Sequence, residues 1–438
     1  MIDVLLWLLA LTLGVLYAYF RPGWRRTGPY LPDSFVAGLA LFAVGATINE
    51  WQLPSHAARE VAAMGWAALC SGLLGAIGGA LATRPPASFA DHVSSSTATI
   101  RAEQLLVRCG LIFSALVCVA FTYAVLSSAP LSALLSFASL FQDSSLLSVR
   151  KMITAGTDGY FAPGYVKQFR DILIPVLLSA LVAMNRRFYK SVLFWPVVCI
   201  ALVAMLISGQ RLIVVVSSGT LLLACYYVTR VRLRTLLVAS GLVLIAYGAL
   251  TVLLGRVEQR GSPAEAAADI AVNVIDRVVL TVPRENTITH SVWGTLGPTM
   301  GSSWLDDLSG ILPGPHRARL SNVLHASAGG SDEGNSPLAL AVDTWLAWGW
   351  TGLALVPALF AFGLALLDRV LLSRRSVTLF GLKVYLALAV PIFYSPYLFL
   401  LYGGAVAVVL VAAIRVIRPA RRRAAGFGGH PFRLRAPT

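Results

Sequence analysis

The sequence predicts an all-α polytopic membrane protein with about 11 transmembrane helices, each long enough to cross about 30 Å of hydrocarbon. Hydrophobic residues make up 57% of the 438 residues, charged residues 13%, and the mean hydropathy is +0.75. Soluble domains carry about a quarter charged residues, so this chain has too little polar surface to cover a globule in water. Long apolar runs also recur along the chain, with basic residues between alternate runs. These three observations exclude a series of soluble domains.

The apolar runs set the order of the spans. The spans are predicted at residues 1–20, 33–50, 61–82, 109–128, 172–185, 192–208, 212–228, 236–255, 345–367, 380–397 and 399–417. The first run has its arginines after the apolar stretch and lacks a small-residue cleavage site. We therefore expect it to be retained as a span and not removed as a signal peptide.

The five cysteines fall inside or at the edge of these runs and form no metal-ligand spacing. Cysteines in such positions behave as small buried hydrophobic residues. The sequence therefore predicts neither a disulfide framework nor a metal site.

Basic residues predict the orientation of the chain, because Lys and Arg near span ends stay on the cytoplasmic side. Most of the 35 basic residues lie in every second connection. These basic segments are 21–26, 84–108, 186–190, 230–234, 369–383 and 415–435. The alternation predicts an outside N-terminus and a cytoplasmic C-terminus. The net charge of +15 then reflects inner loops, whereas in a soluble protein it would suggest a nucleic-acid partner.

This topology divides the chain into four parts. Residues 1–255 hold transmembrane helices 1–8 with an outer loop at about 129–171, residues 256–344 form a large outer loop, residues 345–417 hold helices 9–11, and residues 418–438 form a basic cytoplasmic tail. The large outer loop is too long for a structureless connection, so we expect it to form helices and to carry function. Its acidic residues outnumber its basic ones. An anion site on this side would therefore depend on particular arginines.

Arg211 lies in SGQRLIVVV, where almost nothing separates two apolar runs. A charge at or near membrane depth is costly and usually faces a polar cavity or a partner. Two interpretations are open. The arginine extends to the outer interface as a long basic side chain often does, or its guanidinium binds two oxygens of a phosphate near the bilayer surface.

The segment DRVVLTVPRENTITH in the large loop supplies Arg277, Arg284 and His290. If it is helical, the two arginines are seven residues apart and share a face, unless Pro283 ends the helix first. Two arginines on one face suit a pyrophosphate. The alternative is that they form salt bridges with neighbouring acids, which the sequence supports equally. His290 is a candidate general base, although a single histidine in a loop is more often solvated.

Two further segments of the loop carry candidate residues. GILPGPHRARLSNVLHASAGGSDEGNSP supplies Arg317, Arg319 and His325 as substrate-binding candidates, without a metal-ligand pattern. SPLALAVDTWLAWGWTG places Asp343 at the outer end of a span, among tryptophans typical of a membrane interface. A carboxylate in that position is expected to meet an arginine or a substrate hydroxyl.

Several catalytic motifs are missing from the sequence. It has no Walker motif, no GxGxxG, no GxSxG and no HExxH. The pattern therefore gives no support to nucleotide hydrolysis, a dinucleotide cofactor, serine hydrolysis or zinc-dependent hydrolysis.

The chain resembles the O-antigen polymerase family (Wzy type), which joins oligosaccharide repeat units at bacterial inner membranes. SGQR at 208–211 is similar to the family's SG-x-R between two spans. VIDRVVLTV, followed by LGPTMGSSWLDDLSGILPGP, resembles its arginine motif, glycine-serine turn and Leu-Pro-Gly-Pro segment. NSPLALAVDTWLAWGWTG resembles the motif that re-enters the membrane, with Asp343 where the family usually has glutamate.

The resemblance implies a GT-C-like glycosyltransferase with a periplasmic N-terminus, in the inner membrane. Its substrates would be undecaprenyl-pyrophosphate-linked oligosaccharides, used without a nucleotide sugar, a metal or another cofactor, and a chain-length regulator is a possible partner. A hydroxyl of one repeat unit would attack the anomeric carbon of the growing chain, and undecaprenyl pyrophosphate would leave. The catalytic candidates are Arg211, Arg277, Arg284, His290 and Asp343, and the substrate-binding candidates are Arg317, Arg319, His325 and Arg170. His290, His325 and Asp343 are alternative bases for the attacking hydroxyl, and a good leaving group would reduce the need for a base.

Two other functions remain open from the sequence. An O-antigen ligase has a similar layout, but its usual histidine motif just before a span is not found, since His325 is far from the next one. A transporter or flippase of lipid-linked sugars usually shows internal repeats and broken helices in both halves. No repeat is apparent here, so the sequence favours the polymerase.

Overall fold

The structure is a computed structural model that describes residues 2–22, 28–83, 101–128, 166–185, 187–207, 211–229, 276–294, 297–309, 338–373, 376–392 and 403–417, with isolated positions elsewhere. All the regular secondary structure in these ranges is helical. We number the α-helices in chain order. They are α1 (Ile2–Phe20), α2 (Leu31–Gln52), α3 (His56–Ala82), α4 (Arg101–Ser128), α5 (Ile174–Met184), α6 (Phe194–Ile207), α7 (Arg211–Thr229), α8 (Thr281–Trp293), α9 (Ser302–Ser309), α10 (Leu340–Ser373), α11 (Val377–Ala389) and α12 (Ala405–Ile417).

The all-helical prediction is confirmed for the described residues. Ten of the predicted spans coincide with helices, several of which begin earlier than predicted, and the eighth, 236–255, falls almost entirely outside the described residues. Helix α10 begins at Leu340 and includes Asp343, so helical structure starts before the predicted end of the large loop at residue 344. The loop is helical where it is described, over α8 and α9. The basic tail at 418–438 lies outside the described residues.

Four of the described helices are long and apolar enough to cross a membrane. They are Leu31–Gln52, His56–Ala82, Arg101–Ala124 and Leu340–Leu372. Shorter apolar helices, among them Leu5–Phe20 and Val377–Ala389, accompany them. Large hydrophobic side chains such as Leu11, Val15 and Leu359 remain exposed on these helices. Such continuous apolar exteriors indicate a membrane protein.

Helix α3 is the centre of one half of the bundle and packs against α1, α2 and α10. Small residues allow this. A Cβ added at Gly75 would lie 2.0 Å from the Ala358 carbonyl oxygen, and one at Gly79 would lie 2.5 Å from the Ala365 Cβ. Small residues four positions apart let two membrane helices meet backbone to backbone, which increases van der Waals contact in a solvent without a hydrophobic driving force between helices.

A hydroxyl from α3 also joins the backbone of α10. Ser71 donates to the Ala354 carbonyl at 2.7 Å, and its oxygen accepts from the Ala358 amide at 3.1 Å. Pro357 lies between these two positions and lacks an N–H. A proline inside a helix frees backbone groups, which in lipid require another partner. Ser71 supplies it, so the interruption in α10 is also a point of attachment to α3.

Two π-helical turns have a similar cause. Gln168–Leu173 and Asp276–Leu280 each lie just before a proline near the start of a helix, Pro175 in α5 and Pro283 in α8. Proline removes a donor and its ring conflicts with the carbonyl four residues earlier. A wider turn relieves this conflict without ending the helix. Helical structure therefore continues from 276 to 293 through Pro283.

Buried charges at one end of the bundle are paired. Lys383 donates to Asp368 at 3.0 Å, and both side chains are almost fully buried. Near them, Asp33 pairs with Arg21 at 2.9 Å and accepts from the Tyr17 hydroxyl at 2.6 Å. Charged groups in a low-dielectric interior persist when they are paired and hydrogen-bonded. This pairing gives these residues a structural role.

We predict that Gly75→Ala destabilises the bundle, because the new methyl group has no room beside the backbone of Ala358. Overpacking of this kind costs about 1–3 kcal/mol and outweighs the gain in helix propensity. The measurement is the melting temperature of the purified protein in detergent, followed by loss of the monodisperse peak on size-exclusion chromatography.

Gly363→Ala is the matched control, since a Cβ at this exposed position of α10 meets nothing within 4 Å. Its melting temperature should equal or exceed that of the wild type. Equal melting temperatures for the two alanine variants would contradict the packing described for α3 and α10.

Candidate functional site

The segments of the large loop meet the bundle at the end where α2 turns into α3, at residues 53–55, which we call the loop end. The segment 276–294 lies on this turn. A Cβ at Gly45 of α2 would be 2.1 Å from the Val279 carbonyl oxygen, so only glycine permits this approach. Asn49 donates to the Thr287 hydroxyl at 3.1 Å. These contacts hold α8 against α2.

The first turns of α3 present polar side chains to α8. Ser55 caps the helix by accepting from the Ala58 amide at 3.0 Å, which satisfies one of its free N–H groups. Capping at this position starts the helix at His56 and places His56 and Glu60 one turn apart on one face. His56 Nδ1 lies 3.3 Å from Glu60 Oε2.

His290 of α8 is buried against the same carboxylate. Its Nε2 lies 2.6 Å from Glu60 Oε2, and its side chain is 4% exposed, compared with 86% for His56. Its Nδ1 is also buried and has no hydrogen-bond partner among the described residues. The imidazole makes an edge contact with Trp345 of α10, with ring centroids 4.8 Å apart. Helices α3, α8 and α10 therefore meet at this one ring.

Arg284 lies one and a half turns before His290 on α8. Its Nη1 donates to Asp276 Oδ1 at 2.8 Å and its Nη2 donates to Gln52 Oε1 at 3.0 Å. The salt bridge is the alternative that the sequence left open for this arginine. The side chain is 39% exposed, and its Nε has no partner among the described residues. Arg284 thus retains donors for an anion.

Helix α10 begins with a short segment, 340–348, which a non-helical residue separates from the rest. Gly349 has φ 65° and ψ −155°, a conformation that glycine adopts without steric cost. The turn at 297–301 caps this segment. The Thr299 amide donates to the Leu346 carbonyl at 2.8 Å and the Gly301 amide to the Ala347 carbonyl at 2.9 Å. The carbonyls that the break exposes are therefore satisfied by the large loop.

Asp343 is buried within this short segment. The Trp304 indole of α9 donates to its Oδ2 at 3.1 Å. This indole N–H is a described partner of the carboxylate, and the expected arginine or substrate hydroxyl stays a prediction. The same tryptophan contacts Trp348, with centroids 6.2 Å apart. Asp343 therefore attaches α9 to α10 and is itself buried.

Asn286 ties the two sides of the site together. Its Oδ1 accepts from the Ala339 amide at 3.0 Å, and its Nδ2 donates to the Val282 carbonyl at 2.7 Å. The start of α10 is thereby fixed relative to α8. A buried amide whose donor and acceptor are both used is a strong positional constraint.

The other predicted residues are placed only in part. Arg277 lies in the π-helical turn and Arg211 begins α7, but their side chains are outside the described residues. Helix α7 has its Arg211 terminus toward the loop end, since Gly219 lies beside Leu388 and Val228 packs near the far end of α10.

The last four candidates lie apart from this group or outside the description. Arg317, Arg319 and His325 fall outside the described residues. Arg170 is 2% exposed, forms an ion pair with Asp171 and stacks over Phe121 at 5.2 Å. This arginine has a structural partner on its own helix.

Sequence reasoning missed Glu60 and Trp304. Glu60 lies one residue before a predicted span, where an acid is unremarkable, and its partner is 230 residues away. The available signal was the spacing His56-x-x-x-Glu60 at a helix start, which puts an imidazole and a carboxylate on one face. Trp304 carried no distinguishing signal among the other tryptophans.

The described site at the loop end holds the guanidinium of Arg284, the Glu60–His290 pair and the buried carboxylate of Asp343. Within the part of the chain that the structure describes, no group of three or more His, Cys, Asp or Glu residues is placed to hold a metal ion. The arrangement suits binding of an anion through Arg284 and transfer of a proton through His290.

We predict that Gly301→Ala loosens the cap on α10. Its Cβ would lie 2.3 Å from the Trp348 ring, at a φ of 82° that already strains a non-glycine residue. The expected result is a lower melting temperature in detergent and faster cleavage by trypsin within the large loop.

Gly297→Ala is a close control, because Gly297 has a similar φ of 77° and its Cβ would meet nothing within 4 Å. Both variants carry the same backbone strain, so the difference between them reports the contact with Trp348. If Gly297→Ala is as unstable as Gly301→Ala, the cap does not depend on this contact.

No protein-family model, no curated protein and no solved structure matches this chain. Its function is therefore inferred from the residues at the loop end and from the motifs in its sequence.

Proposed function

We propose that this protein is a surface-polysaccharide polymerase of the O-antigen type, a multi-pass inner-membrane glycosyltransferase with about 11 spans and a GT-C-like fold. It joins undecaprenyl-pyrophosphate-linked oligosaccharide repeat units on the periplasmic face. The loop end is then periplasmic, with the N-terminus on that side and the C-terminus in the cytoplasm. The basic residues of alternate connections support this orientation.

One observation carries the proposal. Three separate motifs of the family resemblance lie together at the loop end, although they are distant in sequence. The arginine motif continues into α8, the glycine-serine turn caps the start of α10, and the re-entry motif forms the short segment 340–348. A site built from these motifs lies at the end of apolar helices, where the headgroup of a lipid-linked substrate would be found.

The chemistry requires two kinds of group. Pyrophosphate gains negative charge as its bond to the anomeric carbon breaks, and guanidinium groups stabilise that charge. Arg284 is the described candidate, with Arg211 and Arg277 assigned to the same role by their motifs. The attacking hydroxyl must lose a proton, and His290, six residues after Arg284, supplies the imidazole of α8 for this role.

The first test is a deletion strain examined on a surface-polysaccharide gel. Loss of the ladder, with a single repeat unit on the lipid A core, supports the polymerase. Loss of all sugar from the core, with long chains still on the lipid carrier, identifies a ligase instead. An unchanged ladder contradicts both and points to transport of lipid-linked sugars.

We predict that Arg284→Ala in a complemented deletion strain shortens or abolishes the ladder, because the leaving pyrophosphate loses a cation. Loss of one such donor costs about 100-fold in rate. Arg284→Lys should restore little activity, since an ammonium group does not reproduce the planar fork. Ladder length and membrane abundance are measured together.

Arg59→Ala is the matched control. Arg59 is 69% exposed, pairs with Glu50 at 3.4 Å and lies at the same end of the bundle. Its removal should leave the ladder unchanged. A normal ladder from stably expressed Arg284→Ala protein would remove Arg284 from the proposed site.

A further inference from the structure

Glu60 and His290 form a pair that differs from the structural ion pairs elsewhere in the bundle. In the pair Lys383–Asp368, the charged groups are buried against each other, and Asp368 also accepts from the Leu31 amide. His290 instead uses one ring nitrogen and leaves the other, Nδ1, buried and without a partner among the described residues. Leaving a buried polar atom unpaired is costly. Such a cost, where it persists, marks a functional position.

The carboxylate determines which nitrogen carries the proton. Glu60 Oε2 lies 2.6 Å from Nε2 and accepts a hydrogen bond from it, so a neutral imidazole holds its hydrogen on Nε2. Nδ1 then presents a lone pair. This is the arrangement by which a carboxylate orients a catalytic histidine in other enzymes.

Gly294 lets the His290 imidazole pack closely against the end of α8. A Cβ at that position would be 2.9 Å from Nδ1 and 2.7 Å from Cε1 of His290. The φ of Gly294 is −59°, which any residue adopts. Glycine is therefore needed here for space and not for backbone conformation. A side chain at position 294 would therefore displace the imidazole from its place beside Glu60.

A donor lies next to this acceptor. The Trp345 indole, in edge contact with the imidazole, has a buried Nε1 without a partner among the described residues. An unpaired donor and an unpaired acceptor in contacting rings complement a hydroxyl group, which both donates and accepts. The ligand chemistry that fits is an alcohol, such as a sugar hydroxyl.

We propose that His290 is the general base for the attacking sugar hydroxyl and that Glu60 is its positioning residue, an inference that rests on the proposed function. The hydroxyl donates to His290 Nδ1 and accepts from Trp345 Nε1. As its oxygen forms the bond to the anomeric carbon, its proton passes to Nδ1 and the pyrophosphate leaves with the electron pair of the broken C–O bond. Glu60 stabilises the imidazolium that results, and the proton later returns from Nδ1 to water.

Other charged groups near this ring are less well placed. Helices packed against α8 contribute Glu50 from α2, His56 and Arg59 from α3, and Asp343 from α10, while Asp276, Arg284 and Glu285 lie on its own segment. Of these, His56 shares the carboxylate of Glu60 but is exposed and lies 3.3 Å from it. Glu60 is the described group within hydrogen-bond distance of the His290 ring. Glu60, and not the summed charge of the neighbouring groups, therefore orients the His290 ring.

The test uses the full-length protein in proteoliposomes with the lipid-linked oligosaccharide extracted from the deletion strain. His290→Gln should lower kcat about 100-fold with little change in KM. Glu60→Gln should lower kcat by at least about tenfold, because the ring loses its orientation and its counter-charge. In the double variant, Glu60→Gln should cause no further loss, since its effect acts through His290.

His56→Gln is the matched control, because it removes the exposed imidazole from the same carboxylate, and it should retain the wild-type kcat. Additive losses in the double variant, or a wild-type kcat for Glu60→Gln, overturn the inference while leaving the polymerase intact. A wild-type protein that forms no polymer from this lipid overturns the proposed function and the inference with it.

Gly294→Ala provides a second route where His290→Gln protein is not recovered from the membrane. The added methyl group would overlap the imidazole, so the ring must shift away from Glu60 and Trp345, and kcat should fall about as much as on loss of the base. A stable Gly294→Ala protein with the wild-type kcat shows that the reaction does not depend on the position of this ring, and it overturns the inference.

Discussion

The close approach of α3 and α10 is the interaction on which the rest of the structure depends. Gly75 and Gly79 remove the side chains that would separate these helices, and Ser71 bonds to backbone groups that Pro357 leaves without partners. This contact fixes both the distance and the rotation of the two helices. Glu60 at one end of α3 and Trp345 near the start of α10 are thereby brought to the same imidazole.

A low-dielectric interior requires partners for polar groups, and this requirement separates structural from functional positions. Asp368 and Asp171 have buried partners that tie helices or adjacent residues together. Among the buried side-chain atoms without a described partner, His290 Nδ1 and Trp345 Nε1 lie in rings that contact each other. A hydrogen-bond acceptor and a hydrogen-bond donor that are both buried and lie in contacting rings are better explained by a ligand that binds both than by two unrelated unsatisfied atoms.

Composition and charge were sufficient to predict an all-helical chain, because hydrophobic length and basic connections are local properties. The same approach placed Asp343 at the outer end of a span, just before the predicted span 345–367. In the structure this residue is inside α10, because Trp304 satisfies its carboxylate from 39 residues away. Glu60 was missed for a similar reason. The role of Glu60 depends on its contact with His290, and no local pattern in the sequence indicates that contact.

The spacing of Arg284 and His290 on one helix follows from the reaction that the site is proposed to perform. The attacking oxygen and the departing pyrophosphate occupy different positions at the anomeric carbon, so the proposed base and the proposed cation that serve them must be separated. Six residues of helix correspond to a rise of about 9 Å. A rigid α8, held to α2 by Asn49 and to α10 by Asn286, keeps that separation constant. The helix itself therefore sets the distance between the base and the cation.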